Sequence, residues 1–207
     1  MEGKLIIFDL DGTLYKTEEV SVPALKEAFS QFGIILSEKT ILNQFGEPTD
    51  QIIENLVPEE KMELRDQVKE AIVQKESEII PLKATLYEGV RTSLERLKEC
   101  GHELAICSNG RYDYIEKVLE TTSIDEYFSS IKSYTEGKSK EDLIRELLSE
   151  YQVEEAVMVG DRYHDIEAAE AADVKSIGAL YGYGSEEAKK ADFVIEKPEE
   201  IISILCE

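Results

Sequence analysis

Leu5-Ile6-Ile7-Phe8-Asp9-Leu10-Asp11-Gly12-Thr13-Leu14 decides how this chain is read. Leu5–Phe8 is an unbroken apolar run rather than an alternation, so both faces of the segment need cover. That predicts a strand over Lys4–Leu10 in a parallel sheet. In an open α/β sheet, ligands bind just beyond the carboxyl ends of the strands. Asp9 and Asp11 therefore emerge where chemistry is expected. Gly12 lets the backbone turn sharply and a ligand come close. Asp-Gly alone is an ordinary turn signal, and a threonine there an ordinary cap. The whole string behind a strand says more. One carboxylate can attack phosphorus as a covalent nucleophile, and a second can move the proton.

Outward from this stretch, apolar runs alternate with helical patterns. Further strands are expected at Glu103–Cys107, Ile131–Ser133, Ala156–Val159, Val174–Gly178 and Phe193–Ile195. Helices are expected at Gly89–Glu99, Tyr112–Thr121, Lys140–Tyr151, Asp165–Ala172 and Pro198–Leu205. Strand–helix alternation predicts an α/β fold with a doubly wound, Rossmann-like parallel sheet. Thr17–Ile80 breaks the alternation. Ala24, Ala28 and Phe29 recur at helical spacing, as do Leu64, Val68, Ala71 and Ile72, and no strand pattern intervenes. Pro48 and Pro58 divide the segment into about four helices. A small all-helical unit, residues 16–81, is thus expected between core segments 1–15 and 82–207.

Composition narrows the function. Asp and Glu total 45 against 23 Lys and Arg, a net charge of −22, which repels nucleic-acid backbones and anionic membranes. No run approaches the ~18 apolar residues of a membrane helix. The amino-terminal run lacks a signal-peptide layout, because an aspartate pair follows it at once. Cys100, Cys107 and Cys206 are odd in number and lack metal-ligand spacing, which reads as free thiols and a cytoplasmic location.

Phe8–Leu14 resembles the first motif of the haloacid dehalogenase-like superfamily of phosphohydrolases. The resemblance implies Asp9 as nucleophile and Asp11 as general acid/base. The dehalogenase branch lacks the second aspartate, so Asp11 counts against carbon–halogen chemistry. Three more motifs are then sought. Ser108-Asn109-Gly110, after the strand ending at Cys107, fits the second, a hydroxyl that holds a phosphoryl oxygen. Arg111 follows, where a helix begins. For the third, a lysine ahead of a helix, Lys138 and Lys140 both qualify. Lys138 fits the register of members with Lys-Pro-x-Pro, and Lys140 that of members with Lys-x-acid-apolar-apolar. The prolines are absent, which favours Lys140. Val157-Met158-Val159-Gly160-Asp161, with Asp165 four residues on, fits the fourth. Such carboxylates suit Mg²⁺, which takes few carboxylates plus water and phosphate.

By this resemblance the Asp9 side chain, the Asp11 carbonyl and Asp161 hold Mg²⁺, with Asp165 behind them orienting metal waters or the lysine. Substrate contacts are expected from Gly12, Thr13, Ser108, Asn109, Gly110, Lys16 and Arg111, with Tyr15 and Phe45 as further leaving-group contacts. The insertion corresponds to a C1 cap, hinged at Leu14–Thr17 and Pro81–Leu86. Its turn Asn43–Thr49 resembles the Gly-x-Pro loop of phosphoglycolate phosphatase-like members, although Glu47 does not favour a carboxylate-bearing substrate. His164 is taken as a bystander. The implied activity is hydrolysis of small-molecule phosphate monoesters through an aspartyl-phosphate, phosphoglycolate phosphatase-like. A β-phosphoglucomutase-like mutase and a pyrophosphatase or nucleotidase share the motifs; a non-catalytic binding protein is the remote alternative. The expected partner is a small phosphorylated metabolite, with no nucleic acid and no membrane, and the chain is expected as a monomer or homodimer.

Overall fold

The computed structural model describes residues 3–153 and 155–206; Met1 and Glu207, the outer ends of the expected core segments, lie outside them. The elements in order are β1 (Leu5–Phe8), α1 (Glu18–Ser30), α2 (Glu38–Leu42), α3 (Thr49–Leu56), α4 (Arg65–Lys83), α5 (Val90–Glu99), β2 (Glu103–Cys107), α6 (Tyr112–Thr122), β3 (Ser130–Lys132), α7 (Lys140–Tyr151), β4 (Ala156–Gly160), α8 (Tyr163–Ala171), β5 (Lys175–Ala179), α9 (Ser185–Ala188), β6 (Phe193–Ile195) and α10 (Ile201–Leu205). Short 3₁₀ turns precede α4, β3 and α10. The six strands form one parallel sheet in the order β3-β2-β1-β4-β5-β6.

The unbroken apolar strands are explained by helices on both faces. Ile6 and Phe8 pack with Leu94, Leu97, Ile115 and Ile201 from α5, α6 and α10. Leu5 and Ile7, pointing the other way, pack with Leu143, Ile144, Leu147 and Ala169 from α7 and α8. A third apolar cluster belongs to the helices between β1 and β2. There Leu25, Phe29, Ile41, Ile53, Val68 and Ile72 close on one another.

Strand β1 stops earlier than Lys4–Leu10 because a turn takes over its end. The Leu10 carbonyl accepts from the N–H groups of Thr13, Leu14 and Tyr15 instead of serving a ladder. Pro48 and Pro58 do mark helix starts, capping α3 and a 3₁₀ turn. Pro81, however, does not end α4, which continues to Lys83. A proline here deprives the carbonyl of Ser77, four residues back, of its helical partner. Ser77 is exposed, so water can serve that carbonyl. The chain re-enters the core at Ala84–Leu86, where the Lys16 N–H donates to the Thr85 carbonyl at 2.9 Å.

The cysteines depart from expectation. Only Cys107 is free, buried in the sheet. Cys100, which caps the end of α5, is joined to Cys206 with a Cα–Cα distance of 5.9 Å. The odd count hid a pair separated by 106 residues, and it removes the cysteine argument for a reducing compartment. Opening a loop of that length costs up to about 5 kcal/mol. Dithiothreitol should therefore lower the thermal unfolding midpoint of the oxidised protein and leave Cys100→Ser unaffected. An equal response in both would remove the disulfide from the stability account.

No helix among the described residues is long and apolar enough to cross a membrane.

Candidate active site

The site lies at the carboxyl ends of β1, β2 and β4, where adjacent parallel strands deliver their next residues side by side. Asp9 follows β1 and its N–H donates to the Val159 carbonyl at 2.8 Å, holding it in the sheet's plane. Its carboxylate is almost fully buried. Asp161 follows β4 and Ser108 follows β2, both buried. The Gly110 N–H donates to the Ser108 hydroxyl at 3.1 Å, and the Ser108 N–H donates to Lys132 of β3 at 3.0 Å.

Lys140 comes from the first position of α7. Ser139 caps that helix, its hydroxyl accepting from the Asp142 N–H while the Asp142 carboxylate accepts from the Ser139 N–H. This reciprocal cap sets the start of the helix and therefore which lysine points inward. Lys140 Nζ donates to Asp9 Oδ1 at 2.8 Å and to Asp165 Oδ1. Lys138 lies outside the cap, with its ammonium against Glu146 on the surface. Lys138 is thus removed from the candidate site.

Asp165 occupies the first turn of α8. Its Oδ2 accepts from the Arg162 N–H at 3.0 Å, so both its oxygens have donors. The packing requires Gly160, because a Cβ there would sit 2.2 Å from Asp165 Cγ. Asp161 Oδ2 accepts from the Tyr183 N–H at 2.6 Å, whereas its Oδ1 is buried with no partner. Oxygens of Asp9, Asp161 and Asp165 lie within 4.8 Å of one another. A buried set of hard oxygen donors with one unsatisfied atom fits a divalent cation.

The Asp11 carboxylate accepts from Tyr114 at 2.7 Å and Thr17 at 2.9 Å. The Tyr114 hydroxyl also meets that of Tyr15. Gly12 has φ +76°, and a Cβ on it would meet Asp161 Oδ2 at 2.6 Å. Gly12 and Thr13 support the loop and do not line the cavity. Thr13 is buried, its carbonyl accepting from the Tyr181 hydroxyl at 2.9 Å. Lys16 also does not line the cavity, because its backbone is drawn into the pairing with Thr85. Tyr15 is fully buried and likewise off the cavity.

The cavity, of about 60 Å³, lies between these residues and the helices inserted after β1. Asn109 Nδ2 donates to the Gly46 carbonyl at 2.8 Å, and Arg162 donates to the Phe45 carbonyl. Glu47 Oε1 stands 3.2 Å from His164 Nε2 and 3.4 Å from the Tyr163 hydroxyl. His164, expected as a bystander to the chemistry, thus meets the turn between α2 and α3. Arg111 donates to Glu76 at 3.0 Å, Asp113 at 3.2 Å and Thr49 at 3.3 Å.

Burial governs the charges. It raises the Asp9 carboxyl well above the usual range against the pull of Lys140, and raises Asp11 against its hydroxyl donors. Burial, with Asp165 adjacent, pushes Asp161 up to about 7. Burial pulls the Lys140 ammonium down, but Asp165 and Asp9 outweigh it and hold the group above the ordinary lysine value. A bound cation would favour the ionised carboxylates.

Sequence reasoning missed Glu76, Tyr114 and Arg162. Glu76 had a readable signal: with Val68, Ile72 and Ile80 it falls on the buried stripe of α4, a charge where an apolar residue belongs. Burial raises its carboxyl to about 7, opposed by Arg111. Tyr114 and Arg162 carry no comparable mark.

Residues 6–179 match the family model of haloacid dehalogenase-like hydrolases. A pyrophosphatase (PpaX) of Listeria monocytogenes is 28% identical over 217 residues, covering 99% of this chain and 98% of that protein. A phosphoglycolate phosphatase of Vibrio vulnificus is 29% identical over 220 residues, covering 99% and 96%. The crystal structure of a predicted phosphatase from Clostridium acetobutylicum superposes with a TM-score of 0.86 at 24% identity, covering 99% and 98%. That of CbbY from Rhodobacter sphaeroides in complex with phosphate gives 0.79 at 22%, covering 96% of each chain. The last two likenesses speak for the fold. With its family model spanning most of the sheet and all four site segments, this chain belongs to the haloacid dehalogenase-like hydrolases.

Proposed function

We propose that the protein is a Mg²⁺-dependent phosphatase of small-molecule phosphate monoesters, working through an aspartyl-phosphate in the manner of the phosphoglycolate phosphatases it resembles. One observation carries the reading. Lys140 bridges Asp9 and Asp165 while the unsatisfied Asp161 oxygen stands beside them. Asp9, Asp161 and the Asp11 backbone carbonyl would hold the ion. A bound Mg²⁺ supplies charge neutralisation at the phosphoryl oxygens.

The chain's residues account for the rest. Ser108 and the neighbouring backbone N–H groups bind phosphoryl oxygens, and Lys140 balances the charge between phosphate and nucleophile. An Asp9 carboxylate oxygen bonds to phosphorus as the ester P–O bond breaks. Asp11 gives its proton to the departing alcohol oxygen. Asp11 then takes a proton from the water that attacks the aspartyl-phosphate, and orthophosphate leaves with Asp9 restored. The raised Asp11 carboxyl, held by Thr17 and Tyr114, suits a group that must carry a proton in one half-reaction and release it in the other.

Residues 16–83 form the cap that excludes water in this reading, α4 carrying it two residues past the expected 81, with Leu14–Thr17 and Ala84–Leu86 as its two connections. The test is phosphate release from p-nitrophenyl phosphate. Chelation with EDTA should reduce it to background and added Mg²⁺ should restore it. Turnover indifferent to EDTA would remove the metal from the mechanism.

A further inference from the structure

The cavity is lined by ionisable groups that already have partners, His164 against Glu47 at 3.2 Å among them. It is lined by three Lys or Arg side chains, Lys140, Arg111 and Arg162. Each is already engaged. Lys140 serves Asp9 and Asp165. Arg162 donates through Nε to Glu187 at 2.9 Å and through its terminal nitrogen to the Phe45 carbonyl. Arg111 faces two carboxylates, Glu76 at 3.0 Å and Asp113 at 3.2 Å. The inserted helices add no cation to the lining; they add Glu47 and Glu76. They also add hydroxyls, from Thr17, Ser21 and Thr49.

A leaving group with a second negative charge would meet two carboxylates and no uncommitted cation. Like charges brought together at a desolvated site cost several kcal/mol. A leaving group with hydroxyls would find donors and acceptors instead. Arg111 cannot turn to an anionic substrate without stranding the nearly buried Glu76, and an unpaired buried charge is the costly outcome.

Resting on the phosphatase reading above, we propose that the substrate is the phosphate ester of an uncharged, hydroxylated alcohol, and that Glu76 excludes esters bearing a second anionic group. Glu76 is then a specificity residue. It leaves the nucleophile alone and sets what is accepted at the leaving-group end. Both substrates in the names of the relatives cited, phosphoglycolate and pyrophosphate, carry that second charge, so this chain departs from them there.

The experiment compares kcat/KM for glycerol phosphate, phosphoglycolate and pyrophosphate at pH 8 with Mg²⁺, in the wild type, Glu76→Gln and Glu47→Gln. The glutamine retains an acceptor for Arg111, and circular dichroism of each variant is the control for folding. The wild type should prefer glycerol phosphate by about tenfold or more over either anionic substrate, a gap of about 1.4 kcal/mol. Glu76→Gln should narrow that ratio by about tenfold, and Glu47→Gln by less, since Glu47 is the more exposed. Phosphoglycolate or pyrophosphate ranking first in the wild type overturns the inference and leaves the phosphatase reading standing. So does a ratio unchanged in both variants. Failure of the wild type to hydrolyse any ester, p-nitrophenyl phosphate included, overturns both.

Discussion

Asp9→Asn is expected to leave a folded protein whose phosphate release drops about 10⁴–10⁶-fold, the scale seen when a covalent nucleophile is removed from an enzyme. The amide has nearly the same shape but no oxygen able to form a stable acyl phosphate. Its surroundings tolerate the change, because Lys140 keeps Asp165 as a partner. The apolar packing of β1 is untouched, since Leu5–Phe8 carry it. Circular dichroism should match the wild type, and a phosphoenzyme trapped by acid quench should be present in the wild type only. Residual turnover within tenfold of the wild type would mean that water attacks phosphorus directly and Asp9 is a spectator.

Lys140→Met should damage stability and turnover together. Removing the ammonium leaves Asp9 and Asp165, both almost fully buried, facing one another without a cation. Breaking a buried pair in this way typically costs about 3–5 kcal/mol. Loss of one charge-stabilising group at the phosphoryl site should lower kcat by about 10²–10³-fold. Lys138→Met, two residues earlier and nearly half exposed against Glu146, should stay within about 0.5 kcal/mol and twofold in rate. Urea unfolding and phosphate release from the two variants decide the matter. Comparable losses from both lysines would contradict the assignment.

Much of this arrangement was legible because it rests on local rules. Every core strand was readable to within two residues, several of them from near-continuous apolar runs. Asp9 and Asp11 could be read from their place beyond a strand end, whereas Ser108 and Asp161 were picked out through the family resemblance, and parallel strands bring all of them to one edge of the sheet. The lysine register was only inclined toward Lys140, although the deciding feature, the Ser139-x-x-Asp142 capping box, is itself a readable spacing. Contacts between the helical insertion and the sheet were not readable. Asn109 meeting Gly46, Arg162 meeting Phe45 and Arg111 meeting Glu76 join residues remote in sequence, with no periodicity to announce them. The Cys100–Cys206 pairing is invisible for the same reason. Pro81 stands two residues before the end of α4, so the expected return to the sheet there comes slightly later, and the carbonyl it orphans belongs to the exposed Ser77.

The position of β1 between β2 and β4 has a consequence for biosynthesis. Leu5 pairs with Glu103 on one side and with Ala156 on the other. The first of these six strands to be made is therefore among the last to be fully paired, and its four apolar residues wait through synthesis of the whole helical insertion. Such non-local pairing is slow to form and exposes an adhesive edge meanwhile. The helices between β1 and β2, with an apolar cluster of their own, can condense while that edge is still open.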